Sequence, residues 1–151
     1  GIEYGALSVD HLEEANQQDV RDLAASNTMP TVLPGASFFS NLPFAPARAM
    51  IDAGLPVAIA SDCNPGSSPS GNMMLLWSLG CIKMRLSPEE ALSALTINGA
   101  AALGLSADRG AISVGRRADL VVSKPVPSLA YLPYSFGEEL VEHTIIGGKI
   151  V

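Results

Sequence analysis

Two residues of this 151-residue chain stand where parallel α/β proteins do their chemistry, His11 and Asp62. Asp62 follows Pro56-Val57-Ala58-Ile59-Ala60-Ser61, an apolar run of the kind buried on both faces of a parallel sheet. A carboxylate after such a strand must be hydrated, hydrogen-bonded or bound to a cation, because burying it alone costs too much. It is therefore a metal ligand, or an N-cap or Asx-turn residue ahead of Asn64-Pro65. His11 closes Ala6-Leu7-Ser8-Val9-Asp10, fifty-one residues earlier, a spacing that accommodates two βα units. An imidazole suits proton transfer or carbonyl polarisation near neutral pH, although a lone histidine is also an ordinary surface or core residue. Asn64, Gly66 and Ser67 offer an amide side chain and backbone N–H groups to a carboxylate or amide ligand. The same stretch also reads as a Pro-Gly turn joining strand to helix.

The other reactive side chains read as structural. Cys63 has no base beside it to activate a thiol and reads as a small packing residue near Asp62. His143 lies far along the chain in a β-rich region. Arg116-Arg117 reads as a solvated turn, and the apolar residues of 73–79 as helix core.

The elements that must position these residues alternate. Strands are expected at 6–10, 30–34 and 56–60, with helices at 13–26 and 46–53 between them. Pro34-Gly35 reads as a turn closing the second strand. Helices are expected at 72–84, 98–103 and 88–95, the last opened by Ser87 with Glu90 three residues on as a capping box. Such βα alternation indicates a parallel α/β fold, whose chemistry sits at the C-terminal strand ends. His11, Pro34-Gly35 and Asp62 fall at those three ends. Beyond Asp108 the pattern becomes β-rich: two short strands within 110–122, and a tail hairpin over 142–151 turning at Gly147-Gly148. Residues 1–109 and 110–151 are thus read as two regions, the second with its own small sheet.

Composition narrows the function. The chain is 48% hydrophobic, 16% charged and carries a formal net charge of −6, which excludes a disordered chain. No basic run interrupts the acidic background, so neither nucleic acid nor an anionic membrane is an expected partner. Two cysteines fit neither a disulfide framework nor a metal knuckle and read as free thiols in a reducing compartment. The start has no initiator Met and no secretory pattern, and no apolar run is long enough to span a membrane. A cytoplasmic chain cut from a longer protein is expected.

The motif Ala118-Asp119-Leu120-Val121-Val122, preceded by Gly110-Ala111-Ile112-Ser113-Val114-Gly115, resembles the place where amidohydrolases leave their barrel for a β-sandwich. Ser8-Val9-Asp10-His11-Leu12, the Asp62–Pro69 loop and Tyr131-Leu132-Pro133-Tyr134-Ser135-Phe136-Gly137 look like imidazolonepropionases within that superfamily. The resemblance spans essentially the whole chain. It implies an α/β fold: the C-terminal part of a TIM-like (β/α)8 barrel, strands six to eight, followed by part of a small β-sandwich. It also implies hydrolysis of a small-molecule substrate, 4-imidazolone-5-propanoate, with one zinc or iron ion. Asp62 would ligate the metal and accept a proton, and His11 would stabilise developing charge. Asn64, Gly66 and Ser67 would touch the product. The family's remaining metal ligands have no counterpart in this chain. A related purine or cyclic-amidine deaminase is the alternative enzyme. A catalytically silent fragment is the other possibility, and its open sheet edges and apolar surface would make it self-associate as a homo-oligomer.

Overall fold

The computed structural model describes residues 1–151. Its first sheet is parallel, in the order β1 (Ser8–His11), β2 (Met29–Val32), β3 (Ala58–Ile59). Helix α1 (Gln17–Ala24) links β1 to β2, and α2 (Pro34–Phe39) with α3 (Ala47–Asp52) links β2 to β3. Three helices follow: α4 (Met73–Met84), α5 (Pro88–Leu95) and α6 (Ile97–Ala102). A second sheet is antiparallel, built from β4 (Leu120–Ser123), β5 (Val141–Ile146) and β6 (Lys149–Ile150), with the short α7 (Tyr131–Tyr134) between β4 and β5. No helix is long and apolar enough to cross a membrane.

Register decides what each face of the first sheet does. Asp10 pairs with Thr31 and Thr31 with Ala58, while His11 pairs with Val32 and Val32 with Ile59. Because side chains alternate along a strand, the two rows face opposite ways. Val32 and Ile59 are buried against Val20 and Leu23 of α1, Met50 of α3 and Trp77 of α4. The opposite face, with Asp10, Thr31 and Ala58, lines a cavity.

Several element boundaries differ from the sequence expectation, each for a local reason. Helix α1 starts at Gln17, not Glu13. The Asn16 side chain accepts from the backbone N–H of Gln18 (2.7 Å) and Asp19 (3.3 Å), and the Asp19 carboxylate accepts from Asn16 N–H (2.8 Å). This reciprocal cap leaves Glu13–Ala15 outside the helix. Pro34-Gly35 is not a turn but the first turn of α2, where proline's fixed φ and missing N–H do no harm. Of the two strands expected in 110–122, only β4 forms. Gly110 (φ 86°) lies so close to α6 that a Cβ there would meet Ala100 Cβ at 2.7 Å. Arg116 then donates to the carbonyls of Ser106 and Arg109, both at 2.6 Å, which pins a loop instead of a ladder. The tail hairpin forms as expected, with Gly147 (φ 56°) and Gly148 (φ 82°) taking the two left-handed positions of its turn.

An ion-pair clamp ties α3 to α5. Arg48 donates to both carboxylate oxygens of Glu90 (2.7 and 3.1 Å) and to Asp52 (2.9 Å). Glu90 also accepts from Ser87 N–H (2.8 Å) in the expected capping box. The Arg48 guanidinium, then the Ser87 N–H, hold the Glu90 carboxyl below the usual glutamate range. A depressed carboxyl stabilises the fold above its unfolded-state pKa, and that contribution is lost as pH falls through the folded value. Replacing Arg48 by Met should therefore lower the melting temperature by a few degrees at pH 7. The deficit should shrink as pH falls through the folded value. Thermal unfolding across an acid pH series checks this, and a deficit independent of pH would assign the loss to packing.

Candidate functional site

The C-terminal ends of β1 and β3 carry backbone that most residues avoid. His11 (φ 72°), Leu12 (φ 71°) and Asp62 (φ 48°) are all left-handed. Each such non-glycine residue costs roughly 1–2 kcal/mol, although Asp and His tolerate the region better than most. Strain of this kind collects at functional sites. Here it lies on the two residues selected from sequence and on the leucine between His11 and Glu13.

Asp62 lines the cavity of about 1130 Å³ on the open face of the sheet, together with Asp10, Thr31 and Ala58. Its side chain is half-buried. Oδ2 accepts a hydrogen bond from Ser67 Oγ at 3.2 Å, and Oδ1 has no partner. Neither a helix cap nor an Asx-turn occupies it. The Asx geometry belongs to Asn64, whose Oδ1 accepts from Gly66 N–H and Ser67 N–H (both 2.8 Å) and whose Nδ2 donates to the Asp62 carbonyl (2.6 Å). The loop is closed a second time at Ser68, which is buried and donates to the Ser61 carbonyl at 2.7 Å. The donors that sequence offered to a ligand at Asn64, Gly66 and Ser67 are thus engaged within the loop, holding Asp62 at its mouth.

His11 is placed differently. Its register row is the helix-packed one, and its ring opens on a separate hollow of about 490 Å³ with Glu13, Glu14, Asp19 and Asp22. The structure does not bring His11 and Asp62 into contact. One strand separates them, so at a strand spacing of about 4.8 Å the two ends lie on the order of 10 Å apart. The ring Nδ1 meets Glu13 Oε1 at 3.2 Å.

Sequence reasoning passed over three residues. Asp10 shares the cavity with Asp62 because it, not His11, occupies the open face of β1. Thr31 is its cross-strand neighbour, and its Oγ1 is buried with no partner. Glu13 touches His11. Strand parity, once the register is known, finds the first two, and Glu13 could have been found by its place two residues after the histidine.

The remaining reactive side chains divide. Burial, reinforced by Glu89 and Glu90, pushes the Cys81 thiol up to about 11, so it stays protonated. Cys63 is exposed, not packed as expected. His143 is exposed on β5, and Arg116 is a loop anchor instead of a solvated turn residue. Asp119 is engaged structurally: it accepts from Arg117 (2.8 Å) and Gly147 N–H (2.7 Å), which hold its carboxyl below the ordinary range.

A family model described as the amidohydrolase family matches residues 3–151. This chain belongs to the amidohydrolase family. Among curated relatives of this amidohydrolase chain, the imidazolonepropionase of Flavobacterium johnsoniae is 50% identical over 151 residues, covering 100% of the chain and 37% of that protein. The imidazolonepropionase of Porphyromonas gingivalis is 48% identical over 149 residues, 99% of the chain and 35% of that protein. The chain therefore spans little more than a third of the relatives it matches. Among solved structures, an adenosine deaminase from Xanthomonas campestris with bound zinc superposes with a TM-score of 0.85 at 25% identity, covering 95% of the chain and 36% of that structure. Guanine deaminase of E. coli gives 0.81 at 18% identity over 95% of the chain and 38% of that structure, a likeness of fold. The mixed α/β architecture is thus that of a partial amidohydrolase barrel.

If Asn64 organises the loop, Asn64→Ala should loosen it locally. Hydrogen exchange at the Gly66 and Ser67 amides should quicken roughly fivefold to tenfold, about 1 kcal/mol per lost bond. Protection elsewhere should not change; unaltered exchange at both amides would refute the role.

Proposed function

We propose that this chain is the C-terminal portion of an imidazolonepropionase, the parent protein hydrolysing 4-imidazolone-5-propanoate to N-formimidoyl-L-glutamate in histidine breakdown. The carrying observation is the 50% identity to the Flavobacterium johnsoniae imidazolonepropionase over 151 residues. On this reading β1, β2 and β3 are barrel strands six, seven and eight. Residues 1–109 then belong to the barrel and 110–151 to a β-sandwich, a division supported by the absence of pairing between the two sheets.

In the reaction, the oxygen of water bonds to the ring carbonyl carbon and the ring C–N bond breaks. The carbonyl carbon becomes a carboxylate that stays on the opened chain, and the departing nitrogen remains in the formimidoyl group. Asp62, at the cavity mouth, takes the proton of the attacking water and passes it to that nitrogen. The resemblance gives His11 the stabilising of charge developing on the carbonyl oxygen, as a preorganised donor does; because its ring opens on the neighbouring hollow, the substrate would have to reach across the end of β2. Asn64, Gly66 and Ser67 shape the loop that meets the propanoate end. A zinc or iron ion, when bound, supplies Lewis acidity that polarises a carbonyl and eases deprotonation of water. Asp62 fits such an ion: it is half-buried, held by Ser67, and leaves Oδ1 free toward the cavity. It does not suffice alone. No three His, Cys, Asp or Glu side chains converge in the chain, and a catalytic zinc takes three protein ligands. The others come from the rest of the parent protein.

The likeness to a zinc-bound adenosine deaminase supports a deaminase as the second reading; the higher identity to imidazolonepropionases favours the first. A cytoplasmic setting agrees with two free cysteines. The 151 residues alone form an incomplete, self-associating unit, as the exposure of Ile112, Val114 and Phe136 supports.

In the full-length protein, Asp62→Ala should lower formimidoyl-glutamate production by about a thousandfold or more, the several kcal/mol that a metal centre contributes. Full activity in that variant would refute the assignment. The 151-residue chain alone should bind well under one metal per chain by elemental analysis and sediment as oligomers. Stoichiometric metal in a monomer would overturn the incomplete-site reading.

A further inference from the structure

The carboxylate beside His11 is built into the fold in a way that a surface ion pair is not. Glu13 Oε1 lies 3.2 Å from His11 Nδ1, and the same oxygen accepts from Ser37 Oγ at 3.3 Å. The Glu13 side chain is only 11% exposed, whereas that of His11 is 53% exposed. Ser37 is buried on α2, beyond the neighbouring strand. The left-handed pair His11-Leu12 turns the chain so that residues 11 and 13 meet, and Leu12 packs against the hydrophobic core, which fixes the turn. The fold thus holds a carboxylate largely out of water, at a cost, where its contacts are one imidazole nitrogen and one hydroxyl. We infer that Glu13, steadied by Ser37, is the positioning residue that sets the tautomer and orientation of His11.

The consequence follows from donor and acceptor inventories. A carboxylate only accepts hydrogen bonds, so the nitrogen facing it carries the proton. Neutral His11 is then protonated at Nδ1 and presents a free lone pair at Nε2, which makes no hydrogen bond. In that state it takes a proton and does not give one. Protonated His11 presents Nε2–H to developing negative charge, with its own charge offset by Glu13. A carboxylate orienting an imidazole acts this way in hydrolytic triads, without itself becoming protonated. This inference rests on the reading of His11 as facing the substrate, but its central claim concerns the ring alone.

The test uses the full-length protein labelled with ¹⁵N-histidine, with the His11 resonances assigned by their loss in His11→Gln. Long-range proton–nitrogen correlations should find His11 in the Nδ1–H tautomer when neutral. Glu13→Gln, whose amide can also donate, should shift the population toward Nε2–H. It should lower kcat by about tenfold to a hundredfold, the usual effect of removing a group that orients a functional histidine, with KM little changed. Ser37→Ala should move both in the same direction by less, and guards against a Glu13 variant that fails to fold. A dominant Nε2–H tautomer in the wild type, or populations unmoved by both substitutions, overturns the inference. Loss of imidazolone turnover in the wild type with the Nδ1–H tautomer intact sinks the proposed reaction and upholds the positioning role.

Discussion

The parallel pairing of β1, β2 and β3 is the constraint on which the rest of the molecule depends. Thr31 lies between Asp10 and Ala58, and Val32 between His11 and Ile59. Sliding β2 by one residue would send Thr31 into the apolar layer and Val32 into the cavity. Val32 and Ile59 are both nearly inaccessible beneath α1, α3 and α4, so burial of that row fixes the register. The register in turn sends Ala60 and Asp62 to the cavity side. Packing on one face therefore aims a carboxylate on the other.

What the strands aim, their ends hold in place. Left-handed residues at His11, Leu12 and Asp62 turn the chain sharply just past the sheet, and each is matched by a specific restraint. Leu12 is fastened by the core, His11 by Glu13, and Asp62 by Ser67 and by the Asn64 amide on its carbonyl. The hydrogen bonds contribute about 0.5–1.5 kcal/mol each, the same order as the backbone cost they offset. Neither the turns nor the contacts would persist separately.

Much of this was legible in the sequence, and the rest was hidden for identifiable reasons. The three short strands of the first sheet, the Ser87–Glu90 capping box and the Gly147-Gly148 hairpin are local, so their residue types announce them. Helix α2 was missed because proline and glycine were read as punctuation, although proline is at home in a first helical turn. The supposed strand before β4 was lost to tertiary contacts, with Gly110 against α6 and Arg116 on two carbonyls, which no window of sequence contains. At the candidate site, the positions of Asp62 and His11 at strand ends could be read from sequence alone. The sharing of a cavity by Asp10 and Asp62 was not, because parity has meaning only once the neighbouring strand's register is known. Asn64 illustrates a subtler gap. Its amide was recognised as a donor to a ligand, but not that the loop would use its donor and acceptor functions itself.

The open face carries polar groups without partners beside apolar walls. Its cavity walls are mainly apolar, the Thr31 hydroxyl is buried without a partner, and one Asp62 oxygen is free. A buried hydroxyl without a partner costs free energy, and a large exposed apolar surface invites association. Polypeptide laid over this face would relieve both. On the proposed reading, the polypeptide that covers the face also brings the other metal ligands. Folding and metal binding are then linked, because a metal held only by the completed barrel stabilises it by mass action. The acidic strand end at Asp62 is consistent with this linkage. Here it is a carboxylate steadied by Ser67; on the proposed reading its charge would be balanced by the bound cation.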